Sequence, residues 1–391
     1  MKVSRYICSV LFFLLPLSAS AQADSLAHSI GVNIRPAYVI PTHGFYKGYN
    51  INNCPLKTAV SAHFNYTFSF LPETRQGQMY PGAYQGAGVA VQTFYSHKTI
   101  GTPLYIYLFQ GSPIIKLSDR ITLDYEWNLG LSGGWKPIDD LLMGSSFNIY
   151  INVGLFLRWR LNDKWDIQAG PEYTHFSNGD TAFPNSGANT VNFRLGIQRY
   201  FNHTTRALEK PEIFEFKTLK TPIAERLTYD LTIYGAWRAD RMTLGGKLYI
   251  IDKAFPLGGI QFNPLYHFNH SLSIGPALDI IYDSSANLIA SVDTRDKLTY
   301  SYPSFLRQTA AGISVRGEVT MPIFAVNIGL GYNLTGSDSD LRGLYGIFAL
   351  KAFLTDSLFL NVGYRLGTVL YAHNLMFGIG WRFYKNKAVT N

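Results

Sequence analysis

His175 and Ser177 stand two residues apart at the end of a segment, Trp165 to Asn178, whose residues alternate in character. Side chains on a β-strand point to opposite faces with period two. Read as a strand, Trp165, Ile167, Ala169, Pro171, Tyr173, His175 and Ser177 share one face, and Asp166, Gln168, Glu172 and Thr174 the other. The first face is apolar until its last two members. Serine is a weak nucleophile until a neighbouring base takes its proton, and the base works best when a third group fixes its orientation. Backbone positions two apart on a strand are separated by roughly 6.5 to 7 Å, so a histidine and a serine so placed can meet by choice of rotamer. A third group comes from the following segment. Val191, Phe193, Leu195 and Ile197 form its apolar face, and counting back by two brings Asn189 to the same face beside His175. The chemistry this predicts is attack by a base-activated nucleophile on something that lies in lipid.

The elements that position these residues read as membrane strands. The chain opens with Lys2 and Arg5, an apolar run from Ile7 to Leu17, and Ser18-Ala19-Ser20-Ala21-Gln22, which has the parts of a secretory signal cleaved after Ala21. Beyond it no apolar run approaches the roughly 20 residues of a membrane helix. Instead, alternating segments of about ten residues, rich in Tyr, Phe and Gly, recur between turns, which is the pattern of an outer-membrane β-barrel. With Cys8 lost with the signal, Cys54 remains without an internal partner. The formal charge of +8 is scattered, which disfavours nucleic acid and suits the phosphates of lipopolysaccharide.

Strands are expected near 27–40, 58–70, 86–97, 103–109, 120–133, 147–160, 164–177 and 190–202. A linker over 203–226 follows, and then strands near 227–239, 243–253, 258–269, 271–283, 308–319, 321–333, 342–354, 357–366 and 374–384. The short turn Leu161 to Lys164 reads as periplasmic and the loop from Asn178 to Asn189 as extracellular, which puts His175 and Ser177 at the outer leaflet. The long connection from Leu71 to Gln85 fits a periplasmic turn poorly. The chain is read as all-β, an antiparallel transmembrane barrel of about 16 strands in one sheet, with two barrels of about eight strands as the alternative. The end of the second half echoes the first. Aligning the two tight turns puts Thr368 and Leu370 at the places of His175 and Ser177, so the second half, 227–391, lacks the site and has no assigned role.

His175-Phe176-Ser177-Asn178, followed by Pro184-Asn185-Ser186-Gly187-Ala188-Asn189 and a strand ending Arg199-Tyr200-Phe201, resembles the lipid A 3-O-deacylases of PagL type, known also as acyloxyacyl hydrolases. The resemblance covers about 27–202. It implies Ser177 as nucleophile, His175 as base, and Asn178 and Asn185 in support, with backbone amides near Asn178 as oxyanion donors. It also implies lipid A as substrate, no cofactor, and assembly as a homodimer. The family's characterised members carry glutamate where this chain has Asn189. A carboxylate orients the imidazole and stabilises its charged form, whereas an amide oxygen only orients it, so slower catalysis is expected. Glu172 is expected in the lumen, and Asp180 is the one acidic residue placed to bend back. No motif for a metal or cofactor competes with this site. The competing reading is a non-catalytic barrel, a channel or an anchor, that keeps a relic of the site.

Overall fold

The computed structural model describes residues 26–50, 52–137, 142–201, 226–292, 298–335, 341–367 and 371–384. The expected signal segment, the 203–226 linker except Arg226, and the positions Thr368 and Leu370 lie outside these.

Eight strands of the first half close on themselves: β1 (Leu26–Val39), β2 (Thr58–Phe70), β3 (Tyr84–Thr93), β4 (Gly101–Lys116), β5 (Ile121–Trp135), β6 (Phe147–Asn162), β7 (Trp165–Ser177) and β8 (Ala188–Tyr200). Each pairs antiparallel with its sequence neighbour, and β8 returns to β1, with Val32 opposite Ile197. A second closed barrel is built from β9 (Leu227–Leu244), β10 (Lys247–His267), β11 (Leu272–Asp283), β14 (Thr309–Thr320), β15 (Phe324–Asn333), β16 (Gly343–Phe353), β17 (Leu358–Gly367) and β18 (Tyr371–Tyr384). It closes where β18 meets β9, with Ile379 opposite Ile233. The expectation of one barrel of about 16 strands is therefore corrected to two barrels of eight. Parity along a strand is the same in either architecture, and only the long-range pairing of β8 with β1 rather than with β9 separates them. Closure at eight strands leaves neither barrel with an unpaired edge.

Two further differences lie in the second half. The segments expected at 243–253 and 258–269 are one strand, β10, with a register shift between Ile251 and Phe255. Between β11 and β14 stands a hairpin, β12 (Ile289–Val292) and β13 (Leu298–Ser301), in a stretch where no strand is expected from the sequence. It packs Leu298 and Tyr300, both half-buried, with Leu288 against Ile251, Phe255 and Met242, while Ile289 on its other face is exposed. The awkward connection after β2 contains a short helix, α1 (Arg75–Met79), capped by Thr74, whose side-chain oxygen accepts from the Gly77 N–H at 3.0 Å.

Both barrels are apolar outside and polar inside. Val32, Ile34, Phe64, Trp159, Phe193 and Leu195 of the first, and Ile233, Leu278, Val315, Ile328 and Trp381 of the second, are exposed. Inside, Arg194 and Arg35 meet Glu172 at 2.6 and 2.8 Å, and Arg158 meets Asp124 at 2.9 Å. The second lumen is held by Asp230, which binds Arg382 at 2.7 Å and Lys351 at 2.6 Å. A buried charge is tolerated only when paired and hydrogen-bonded, and an eight-stranded barrel is narrow enough for its own side chains to do this. Above the first network an aromatic layer closes the lumen, where Tyr105, Tyr150, Trp135 and Phe176 pack with ring centroids 4.5 to 5.4 Å apart.

Candidate active site

Phe176 sets the frame of the site. Its ring is wholly buried in that aromatic layer, so the flanking residues on β7, His175 and Ser177, must face outward. The register places His175 directly opposite Asn189 of β8 and Ser177 opposite Ile149 of β6. His175 Nδ1 lies 2.7 Å from Asn189 Oδ1. That oxygen only accepts, so Nδ1 carries the proton and Nε2 keeps the lone pair. The Tyr173 hydroxyl, two residues earlier on the same face, also donates to Asn189 Oδ1 at 2.7 Å, and Asn189 Nδ2 donates to Thr42 Oγ1 at 3.4 Å.

Ser177 has other partners. Its Oγ accepts from the Gly179 N–H at 3.0 Å and lies 3.5 Å from the hydroxyl of Tyr364, on β17 of the second barrel. Among the described residues no hydrogen bond joins it to His175. Ser177 is 3% exposed, and what covers it is the second barrel.

The loop between β7 and β8 is built from hydrogen bonds to its own backbone. Asn185 Oδ1 accepts from the Asn178 N–H at 3.1 Å, and Asn178 Nδ2 donates to the carbonyl of Ala182 at 2.8 Å. The Asn178 N–H is thus already engaged, and of the two amides after the serine it is that of Gly179 that points at Oγ. Asp180 does not bend back to His175: its carboxylate accepts from Asn185 Nδ2 at 3.2 Å. Burial pushes the Asp180 carboxyl above its ordinary range, against the pull of Asn185, Arg238 and Arg241. Glu172 is in the lumen, paired with Arg35 and Arg194, as its parity required. Gly187 has φ +66°, and a Cβ there would lie 3.3 Å from His175 Cε1. Neighbouring loops fix this one in place: Ser186 N–H donates to the Leu142 carbonyl at 2.9 Å and the Tyr46 hydroxyl to the Gly187 carbonyl at 2.8 Å.

Sequence reasoning missed Tyr173, whose place on the face of His175 and Ser177 was legible two residues before His175, and Tyr364, for which no local signal exists. Among the described residues no group of acidic, histidine and cysteine side chains could hold a metal ion.

Residues 114–198 match the family described as lipid A 3-O-deacylase (PagL), and residues 227–386 match the acyloxyacyl hydrolase C-terminal domain. The chain belongs to the PagL-type family. Membership, with two barrels apolar outside and polar inside, makes it an outer-membrane protein. No curated protein matches the sequence. Solved structures similar to it include Neisserial surface protein A, 12% identical over 44% of this chain and 97% of that one, with a TM-score of 0.31. The transport unit of the autotransporter AIDA-I from Escherichia coli is 10% identical over 96% and 94% of the two chains, with a TM-score of 0.20.

Proposed function

We propose that this PagL-type protein is a serine esterase that removes the 3-O-linked acyl chain of lipid A in the outer leaflet. The observation that carries the reading is the 2.7 Å contact of His175 Nδ1 with Asn189 Oδ1 across the β7–β8 pair, two residues from Ser177. It fixes the tautomer in which Nε2 is free to act as a base.

In this reading Ser177 Oγ attacks the ester carbonyl while its proton passes to His175 Nε2. The Oγ–C bond forms and the carbonyl π pair moves to oxygen. When that tetrahedral centre collapses, the bond to the sugar oxygen breaks and His175 returns the proton to it. Water then hydrolyses the acyl-enzyme by the same route, with His175 again as base. For this, the Ser177 side chain turns from its present partners toward His175, a change of one staggered rotamer, about 120°. Asn189 holds the imidazole but adds no negative charge, which supports a slower enzyme than a carboxylate would give.

Against the channel reading stand two lumens occupied by paired, buried charges, Arg194 with Glu172 in one and Arg382 with Asp230 in the other. The test is mass spectrometry of lipid A from cells producing the wild type or Ser177→Ala. The wild type should yield lipid A lighter by one 3-hydroxyacyl chain, and the variant should not, since loss of a catalytic serine typically costs on the order of 10⁶ in turnover. Identical lipid A from both would refute the assignment.

A further inference from the structure

Tyr364 and Leu375 point outward from the second barrel, on the same faces of their strands as exposed residues such as Phe377 and Ile379, yet both are nearly buried. Ile149 of β6 is likewise outward and buried. These three form one cluster, with Leu129 and Ile151 from the first barrel and Ala236 and Leu366 from the second. The outer walls of β5–β7 and of β9, β17 and β18 therefore face each other. The contact continues past the cluster at both ends. At the site end, the Ala239 N–H donates to the Asp180 carbonyl at 2.8 Å and the Arg241 guanidinium lies over the Phe183 ring at 5.2 Å. At the other end, the Trp127 and Phe324 rings meet at 5.2 Å and the Tyr80 hydroxyl donates to the His270 carbonyl at 3.2 Å. Within this apolar wall Tyr364 brings a phenol, which when buried requires a partner, and the partner it finds is the Ser177 hydroxyl.

We propose that Tyr364 of the second barrel is a catalytic residue of the esterase, donating with the Gly179 N–H to the oxyanion of the tetrahedral intermediate. The inference rests on the assignment of Ser177 as nucleophile. At present an oxygen, Ser177 Oγ, lies within reach of two donors, the Gly179 N–H and the Tyr364 O–H. When Oγ turns to His175 it leaves that place, and the distance an oxygen moves between staggered rotamers is close to the separation of two oxygens on one tetrahedral carbon. The carbonyl oxygen of the attacked ester thus enters the place Oγ vacates. As the carbonyl π pair moves onto it, both donors hold the developing charge between the two barrel walls. The first barrel supplies nucleophile, base and one amide, and the second completes the oxyanion site.

The experiment uses the full-length protein in detergent with purified lipid A, comparing wild type, Ser177→Ala, Tyr364→Phe and Leu366→Ala. Phenylalanine keeps the ring in the wall and removes only the hydroxyl, while Leu366 packs in the same cluster and has no side-chain donor to offer an oxyanion. Tyr364→Phe should lower kcat on the order of 10²-fold with KM changed less than twofold, the size expected for one oxyanion donor. Leu366→Ala should stay within threefold of wild type, and all variants should keep the heat-dependent gel mobility of folded barrels. If Ser177→Ala is inactive but Tyr364→Phe keeps wild-type kcat, or if Leu366→Ala loses as much as Tyr364→Phe, the role of Tyr364 is overturned and that of Ser177 stands. Full activity in Ser177→Ala would overturn the esterase reading itself.

Discussion

At the scale of the residue, the proposed chemistry turns on one oxygen atom. Asn189 Oδ1 receives both the His175 Nδ1 proton and the Tyr173 hydroxyl at 2.7 Å, so the imidazole is held by an acceptor already shared. A carboxylate at the same register would keep both contacts and add a charge that stabilises the imidazolium formed as Ser177 is deprotonated. Asn189→Glu should therefore raise kcat about tenfold or more, against the loss of the weak 3.4 Å contact with Thr42. Release of 3-hydroxy fatty acid from lipid A measures it. An unchanged or lower rate would mean that the orientation of His175, rather than its charge, limits catalysis.

Among the elements, the loop from Asn178 to Gly187 is the part most closely specified. Gly187 adopts φ +66°, a region L-residues avoid, and its missing Cβ makes room for the His175 ring. Gly187→Ala should combine backbone strain of roughly 1–2 kcal/mol with displacement of the imidazole. The expected outcome is a fall in kcat of tenfold or more with the barrel still folded, read by activity beside heat-dependent gel mobility. Retention of full activity would show that the loop can shift without moving His175. The same loop receives the second barrel, since a Cβ on Gly179 would lie 2.6 Å from Leu375 Cγ.

For the molecule as a whole, two closed sheets stand side by side and the site lies at their seam. The ion pairs of each lumen are made within that barrel, so neither needs the other to fill its lumen. What the second barrel contributes is a wall. Leu375→Trp adds volume where Leu375 is 3% exposed and faces Gly179, and should part the barrels at the site end. Turnover should fall at least tenfold while both barrels keep their folded mobility. Wild-type turnover in that variant would show that the first barrel works alone.

In the first half the period-two pattern by itself determined the strands and the faces of their residues. β7 was expected at 164–177 and runs from 165 to 177, and the shared face of His175, Ser177 and Asn189 follows from parity and one neighbouring strand pair. Such information is local, carried by alternation and by a hairpin whose partners are 14 residues apart. Tertiary structure decided the rest. Whether β8 would meet β1 or β9 depends on hydrogen bonds between distant edges that look alike in sequence. The meeting of Ser177 with Tyr364 spans 187 residues. Parity marks which side chains leave the barrel, but an apolar outward face reads the same whether lipid or a second barrel covers it.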